Sequence, residues 1–289
     1  MPKKSSNNLS LAGFGDIFTA STGGEQISMV PLSELHPPEF HPFQVNDDEA
    51  MKSLAESVKM YGVREPGLAR KRTEGSYELL CGNRRKRACE LSGISVMPVI
   101  IRELDDDSAA IAMVDSNLQQ REKLLLSEKA WAYRVKMEAL NHNGIKGENH
   151  SFQIMVEQTG ESKNQIYRLI RLTELVPALL DKVDVRQLAF NPAVELSYLS
   201  RKEQAIVVDA MAKYEVKPSL SQAVRLKKLS QDRKLTSEVV EPLLSEEKKP
   251  PKSTERVSYS RFFPPDYSAK QIDAVIIKLL TDWKEKVSA

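Results

Sequence analysis

Residues 151–173 read Ser-Phe-Gln-Ile-Met-Val-Glu-Gln-Thr-Gly-Glu-Ser-Lys-Asn-Gln-Ile-Tyr-Arg-Leu-Ile-Arg-Leu-Thr. Phe152, Met155 and Val156 put an apolar stripe on a short helix. Thr159-Gly160-Glu161 makes a tight turn, with Gly160 free to take a positive φ. Ser162 is a good N-cap for a second helix, and Gln165 three residues later completes a capping box. At about 100° per residue, Ile166, Leu169 and Ile170 fall on one side of that helix, and Asn164, Tyr167, Arg168 and Arg171 on the other. The first set anchors the helix in a core. The second presents two guanidinium forks, an amide and a phenol.

This pattern reads as a helix-turn-helix. Ser162, Lys163, Asn164, Tyr167, Arg168 and Arg171 are its candidate contacts to double-stranded DNA, because Arg pairs bidentately with guanine and Asn with adenine in the major groove. An ordinary amphipathic helix pair with a solvated basic face has the same period. The Gly turn at the right offset and an outward stripe without acids favour DNA.

The surroundings of this stretch are helical from Ser108 onward. The pattern predicts helices over 108–120, 127–142, 152–158 and 163–173, with shorter ones to about 212. The charged stretch 216–256, with one helix near 219–231, reads as a linker, ending in Glu246-Glu247-Lys248-Lys249-Pro250-Pro251-Lys252. Residues 257–289 form a small separate unit whose helix carries Ile272, Val275, Ile276, Leu279, Leu280 and Trp283 on one face.

The N-terminal side has a different rhythm. Residues 1–26 are rich in Ser, Asn and Gly and read as flexible. A strand follows at Gln26–Leu32, then a Pro- and His-bearing loop over 35–45, then a helix capped by Asn46 or Asp47 that runs to about Met60 and ends at Gly62. Strands at 67–72 and 77–81 flank a turn at Thr73–Ser76, and a third strand spans 96–102. The acidic run Glu103–Asp107 suits a helix N-terminus. The fold class is therefore an α+β N-terminal domain, a small mixed sheet with helices, over 27–106. An all-α helix-turn-helix domain follows over 107–215, then the linker over 216–256 and the C-terminal helical unit over 257–289.

Composition narrows the function classes. The 289 residues are 41% hydrophobic and 28% charged, ample for about two domains. Forty-two basic against 40 acidic residues give a net charge of only +2, so a nucleic-acid argument must rest on local clustering. Cys81 and Cys89 are too few for a disulfide framework, and four scattered histidines offer no zinc set. No apolar run approaches the roughly 18 residues needed to cross a bilayer, and the start of the chain lacks a secretory apolar stretch. The expectation is a cytoplasmic protein with no membrane partner.

The second chemical signal is Gly82-Asn83-Arg84-Arg85-Lys86-Arg87-Ala88, between a strand and a helix. Such a junction exposes backbone N–H groups and the positive end of the helix dipole, which suits phosphate, and Arg adds bidentate geometry. It is not a Walker loop, since no Gly-Lys-Ser/Thr occurs. A basic surface helix is the bland alternative.

Four blocks in order resemble the ParB partition family: Leu54–Val58 with Gly62–Pro66, Tyr77–Ala88, Ser116–Gln119, and the helix-turn-helix. The match covers roughly residues 27–200. The resemblance implies CTP with Mg2+ as cofactors, held by Gly62, Glu65, Gly82, Asn83, Arg84, Arg85 and Asn117, with Asn117 also on the metal. It implies a homodimer on a palindromic DNA site, a nucleotide-closed clamp, a ParA-type ATPase as partner, and association with nucleoid or plasmid. Asn83 and Ser116 stand where the family carries acids, and Arg121 lies one position late, with Gln120 in its place. Turnover of CTP is accordingly expected to be slow or absent.

The rival readings are three. A helix-turn-helix transcriptional regulator without nucleotide function keeps the DNA face alone. A sulfiredoxin-type enzyme needs a reactive Cys after the loop glycine, whereas Cys81 precedes Gly82 and alternation buries it. A ParB-fold nuclease needs acids and histidines near Gly82, which the sequence lacks.

Overall fold

The computed structural model describes residues 26–72, 75–121, 124–142, 148–246, 262–264 and 266–287. Of the N-terminus read as flexible over 1–26, residues 1–25, with Thr73 and Glu74 of the predicted turn and the linker end at 247–256, lie outside the described residues. The chain forms two compact units, residues 1–246 and 247–289.

The larger unit begins with a five-stranded mixed sheet in the order β1-β5-β3-β4-β2. The strands are β1 (Ile27–Pro31), β2 (Leu35–His36), β3 (Gly67–Lys71), β4 (Tyr77–Cys81) and β5 (Val96–Arg102). β1 runs antiparallel to β5 and β3 antiparallel to β4, while β3–β5 and β2–β4 are parallel. The loop expected over 35–45 thus starts with a short edge strand.

Alternation along the strands feeds two cores. Ala69, Leu79 and Val99 point to the face covered by helix α1 (Glu49–Tyr61) and helix α2 (Asn83–Leu91), meeting Met51, Val58, Ala88 and Cys89. Leu68, Leu80 and Ile100 point to the other face, where helix α3 (Asp106–Gln120) supplies Ala109, Ala112 and Met113. α3 begins the region read as the second domain, yet it covers this sheet. Helix α1 is capped by Asp48, one residue beyond the positions expected, through its carboxylate accepting from Met51 N at 2.8 Å. The acidic run before α3 does cap it, with Asp105 accepting from Ser108 N at 2.7 Å.

Helices α4 (Leu126–His142), α5 (Glu148–Thr159), α6 (Lys163–Arg171), α7 (Pro177–Asp184), α8 (Phe190–Leu196) and α9 (Arg201–Tyr214) form the next layer. One continuous core joins them through Tyr133, Leu140, Phe152, Met155, Ile166, Leu169, Leu179, Leu196 and Val207. That core also contains Ala223 and Leu226 of α10 (Leu220–Gln231) and Val240, Leu243 and Leu244 of α11 (Ser237–Ser245).

Residues 216–246 are therefore not linker. Charged residues are frequent among them, but Ala223 with Leu226, and Val240 with Leu243 and Leu244, recur at helical spacing and are buried, while Leu220, Val224 and Val239 stay exposed. Gln222 closes a capping box with Ser219, and its amide donates to Leu243 O at 2.9 Å, tying the two helices together. In the second unit, helix α12 (Ala269–Val287) has no buried residue, and Leu279, Leu280 and Trp283 are exposed. No helix among the described residues is long and apolar enough to cross a membrane.

Candidate nucleotide and nucleic-acid sites

The strand-to-helix turn after β4 has the geometry its sequence demands. Gly82 sits at φ 107°, where an L side chain is strained, and a Cβ there would lie 3.2 Å from Gly67 Cα. Gly67 is as tight, since its Cβ would meet Cys81 O at 2.9 Å. Two glycines let β3 and the turn touch. Because Gly82 has no side chain to cap α2, the first amides of the helix are left uncapped, and its first turn carries no acid. That is an anion-favouring helix end.

The basic run is mostly committed elsewhere. Arg85 donates to Glu65 O at 3.2 Å and Pro66 O at 2.8 Å, pairs with the Glu65 carboxylate at 3.1 Å, and reaches Gln120 Oε1 at 3.4 Å. It is a strut between the 65–66 loop, α2 and the end of α3. Lys86 donates to Leu35 O at 2.7 Å, and Arg87 forms a fork on Asp47 at 2.9 and 2.5 Å. Asn83 donates to Leu79 O and approaches His41 Nε2, both at 3.2 Å. Among the described residues Arg84 alone of the four cations has no hydrogen bond or ion pair. It faces a cleft of about 1320 Å³ between the sheet layer and the helical layer.

The cleft shows what the sequence reading missed. Arg121, the C-cap of α3, donates to Gln44 O at 3.1 Å and pairs with Glu128 at 3.3 Å. Burial, then the neighbouring Arg84 charge, lowers its pKa, while Glu128 opposes the shift. Glu128 is itself buried and saturated, accepting also from Gln44 N at 2.7 Å and Leu125 N at 3.0 Å. Deeper, Lys136 is 1% exposed and ion-paired to Asp115. A signal for Lys136 existed, since Tyr133, Lys136, Met137 and Leu140 share one helical stripe and the lysine interrupts it.

The structure thus gathers Glu65, Gly82, Asn83, Arg84 and Arg85 around one turn. Asn117 lies on α3, where its amide donates to Met113 O at 2.9 Å and leaves Oδ1 open. Gly62 terminates α1 at φ 71° with open space around it, and no contact joins it to the turn. No group of three or more His, Cys, Asp or Glu suited to a metal occurs among the described residues, and Asp115 and Glu128 are already paired. Cys81 is buried, and burial pushes its thiol up to about 11.

The second site is the α5–α6 pair. Gly160 takes φ 70°, and its N–H returns to Val156 O at 2.9 Å. Ser162 accepts from Gln165 N at 3.2 Å, one half of the expected capping box. Lys129 of α4 pairs with Glu161 and fixes the turn to the core. Ile166 and Leu169 are buried as the period required, while Ser162, Lys163, Asn164 and Tyr167 are exposed.

Two residues of the outward stripe behave differently from the sequence reading. Arg168 donates to Asn191 Oδ1 at 2.5 Å and stacks on Phe190 at 5.0 Å. Arg171 donates to Ser197 O and stacks on Tyr198 at 4.3 Å. Both partners come from α8 and its C-terminal end. Arg171 is turned along the protein surface as a brace rather than displayed, because a bare carbonyl at a helix end attracts a guanidinium. Burial, then the hydrogen bond with Tyr167, raises the Tyr198 phenol.

The sequence profile of the ParB N-terminal domain matches residues 19–118. A nucleoid occlusion protein of Halalkalibacterium halodurans is 32% identical over 199 residues, 68% of this chain and 66% of that protein. A nucleoid occlusion protein of Listeria monocytogenes is 29% identical over 187 residues, 64% of this chain and 62% of that one. A probable chromosome-partitioning protein ParB of Rickettsia bellii is 29% identical over 185 residues, 64% of this chain and 60% of that one. The chain thus spans somewhat less than two thirds of the length of these relatives. Among solved structures, the C-terminally truncated ParB of Caulobacter crescentus complexed to the centromeric parS site is 19% identical with a TM-score of 0.41, covering 71% of this chain and 99% of that one.

The mixed sheet with flanking helices, the helical remainder and these sequence matches define a ParB-type protein. The chain belongs to the ParB-type partition protein family.

Proposed function

We propose that this protein binds DNA sequence-specifically through α6 and acts in partition or nucleoid occlusion, the two roles its relatives are named for. The observation that carries the reading is the acid-free exposed face of Ser162, Lys163, Asn164 and Tyr167, held rigid by buried Ile166 and Leu169 behind the Gly160 turn. Asn164 and Tyr167 are the base readers, Ser162 and Lys163 the phosphate contacts. Arg168 and Arg171 orient the helix against α8. A fluorescent duplex pool titrated at several salt concentrations tests this. Affinity falls linearly on logarithmic axes if phosphates are contacted, and a salt-independent signal overturns it.

The finer reading is a nucleotide site at the α2 turn, within a sheet domain over 27–106 that precedes the helical DNA-binding region from 107. A triphosphate fits there: uncapped amides after Gly82, Arg84 without a partner among the described residues, and an adjoining cleft of ample size. Arg85 shapes the turn from behind, with Glu65 and Gln120. Arg121 supplies the second guanidinium on the cleft wall. Among the described residues of the cleft, Asp115 and Glu128 are already paired, so the metal would arrive on the phosphate oxygens, with Asn117 Oδ1 the side-chain oxygen open toward it. Magnesium would neutralise phosphate charge, and CTP turnover is slow or absent.

Dimerisation through the exposed apolar face of α12 would place two α6 helices on a palindromic site, and nucleotide would close the pair as a clamp. A ParA-type ATPase is the proposed protein partner. Calorimetry with the four nucleoside triphosphates and magnesium, beside a phosphate-release assay, tests the site. CTP binding without brisk hydrolysis is expected. No binding of any of them leaves the DNA face as the sole function.

A further inference from the structure

The contacts of Asn83 lead to a residue in another loop. His41 Nδ1 lies 2.8 Å from Phe43 O, which can only accept, so Nδ1 carries the hydrogen. In the neutral ring Nε2 is then bare and accepts. Asn83 Nδ2 stands 3.2 Å from that Nε2 and 3.2 Å from Leu79 O. Two acceptors take the two amide hydrogens. The flipped amide would set Oδ1 against the Leu79 carbonyl, oxygen to oxygen, so the orientation is determined.

We propose that His41 is a positioning residue for the phosphate turn: its neutral Nδ1–H ring locks the Asn83 amide with Oδ1 outward, and nucleotide affinity depends on that lock. This rests on the reading of the turn as a nucleotide site. The Asn83 side chain then has no hydrogen to give a phosphate. It offers an acceptor at the first residue of α2, matched to a ligand hydroxyl or amino hydrogen, while the phosphates fall to the backbone amides and Arg84.

Protonation breaks the lock. A second ring hydrogen on Nε2 would face the Asn83 N–H at 3.2 Å, donor against donor, and the amide would have to release Leu79 O or turn over. The charged groups facing the ring are Arg121 of α3 and Glu128 of α4, which pair with each other at 3.3 Å. Burial is the largest influence and holds the His41 pKa below its ordinary 6.5, with Arg121 adding to it and the Phe43 carbonyl and Glu128 opposing. The folded-state value is depressed, so the lock is complete above about pH 6.5 and is lost as pH falls through the lower folded value.

The test compares CTP affinity of the full chain at pH 7.5 and pH 5.5 for wild type, His41→Gln and His41→Phe. Gln keeps an acceptor that does not titrate. The nucleotide's own phosphate titrates equally in all three. Wild type is expected to weaken more than His41→Gln on acidification, by less than about tenfold at pH 5.5 because the folded His41 pKa lies below 6.5, and His41→Phe to be weak at both values. Equal responses of wild type and His41→Gln at a pH where NMR shows the wild-type ring protonated overturn the proposal. Long-range proton–nitrogen NMR of the ligand-free chain, with His41 assigned by its loss in the variant, reads the tautomer directly. Protonation on Nδ1 is expected, and an Nε2-protonated neutral ring overturns the lock. Absence of CTP binding by wild type at pH 7.5 would refute the nucleotide reading, while the tautomer measurement still decides the pairing.

Discussion

Asp115→Ala removes the partner of an ammonium group that has almost no solvent. Lys136 is 1% exposed and its ion pair with Asp115 is the contact that satisfies its charge at the floor of the cleft. Removing one partner of a buried pair leaves an uncompensated charge and costs about 3–5 kcal/mol, more than the pair itself contributes. At about 2–4 °C per kcal/mol for a domain of this size, the melting temperature should fall by about 6–20 °C. Replacing both groups with apolar side chains of similar volume, Asp115→Leu with Lys136→Met, removes the unpaired charge and should recover most of the loss. Urea and thermal melts of the three proteins measure this. A shift under about 2 °C for the single variant, or a double variant that melts no higher than the single, would refute the reasoning.

Other outcomes follow from the same geometry. Gly82→Ala forces a Cβ onto φ 107° and against Gly67 Cα, so it should cost about 1–3 kcal/mol and weaken CTP binding, measured by urea melts and calorimetry. Arg84→Ala should abolish CTP binding while leaving the melt unchanged, since Arg84 has no partner to lose among the described residues; Arg87→Ala, whose guanidinium is occupied by Asp47, should leave CTP affinity as it was. Arg171→Ala should lower stability by about 1–3 kcal/mol through the lost bond to Ser197 O, and weaken all DNA sequences alike without relaxing any one base position, which a binding assay on single-base variants would show.

The parts of the fold that were legible are those whose signal is local. The α6 stripe, the Gly160 turn, the Gly82 junction and the Asp105 cap each sit within a few residues of what they control. The missed parts depend on neighbours remote in sequence. Nothing near Arg171 announces that Ser197 O will hold it, and nothing near Arg85 announces the carbonyls of Glu65 and Pro66. Residues 216–246 read as linker because charged residues are interspersed with the apolar ones, although Ala223 and Leu226 on α10, and Val240, Leu243 and Leu244 on α11, lie at helical spacing and fill the core. The run Arg84–Arg87 looked like four equivalent cations; only the folded chain separates Arg84, which has no hydrogen bond or ion pair among the described residues, from three structural ones. The Lys136 position was readable as an anomaly on an apolar stripe, but its partner was not.

The central claim is that the outward residues of α6 read a specific DNA sequence, and selection from a random duplex library tests it most directly. Wild-type protein should enrich one motif. Asn164→Ala should bind the same motif with about 1–3 kcal/mol less discrimination at a single base-pair position, leaving the other positions unchanged. Enrichment of no motif by the wild type, or an unchanged motif and affinity for Asn164→Ala and Tyr167→Ala alike, would contradict the account.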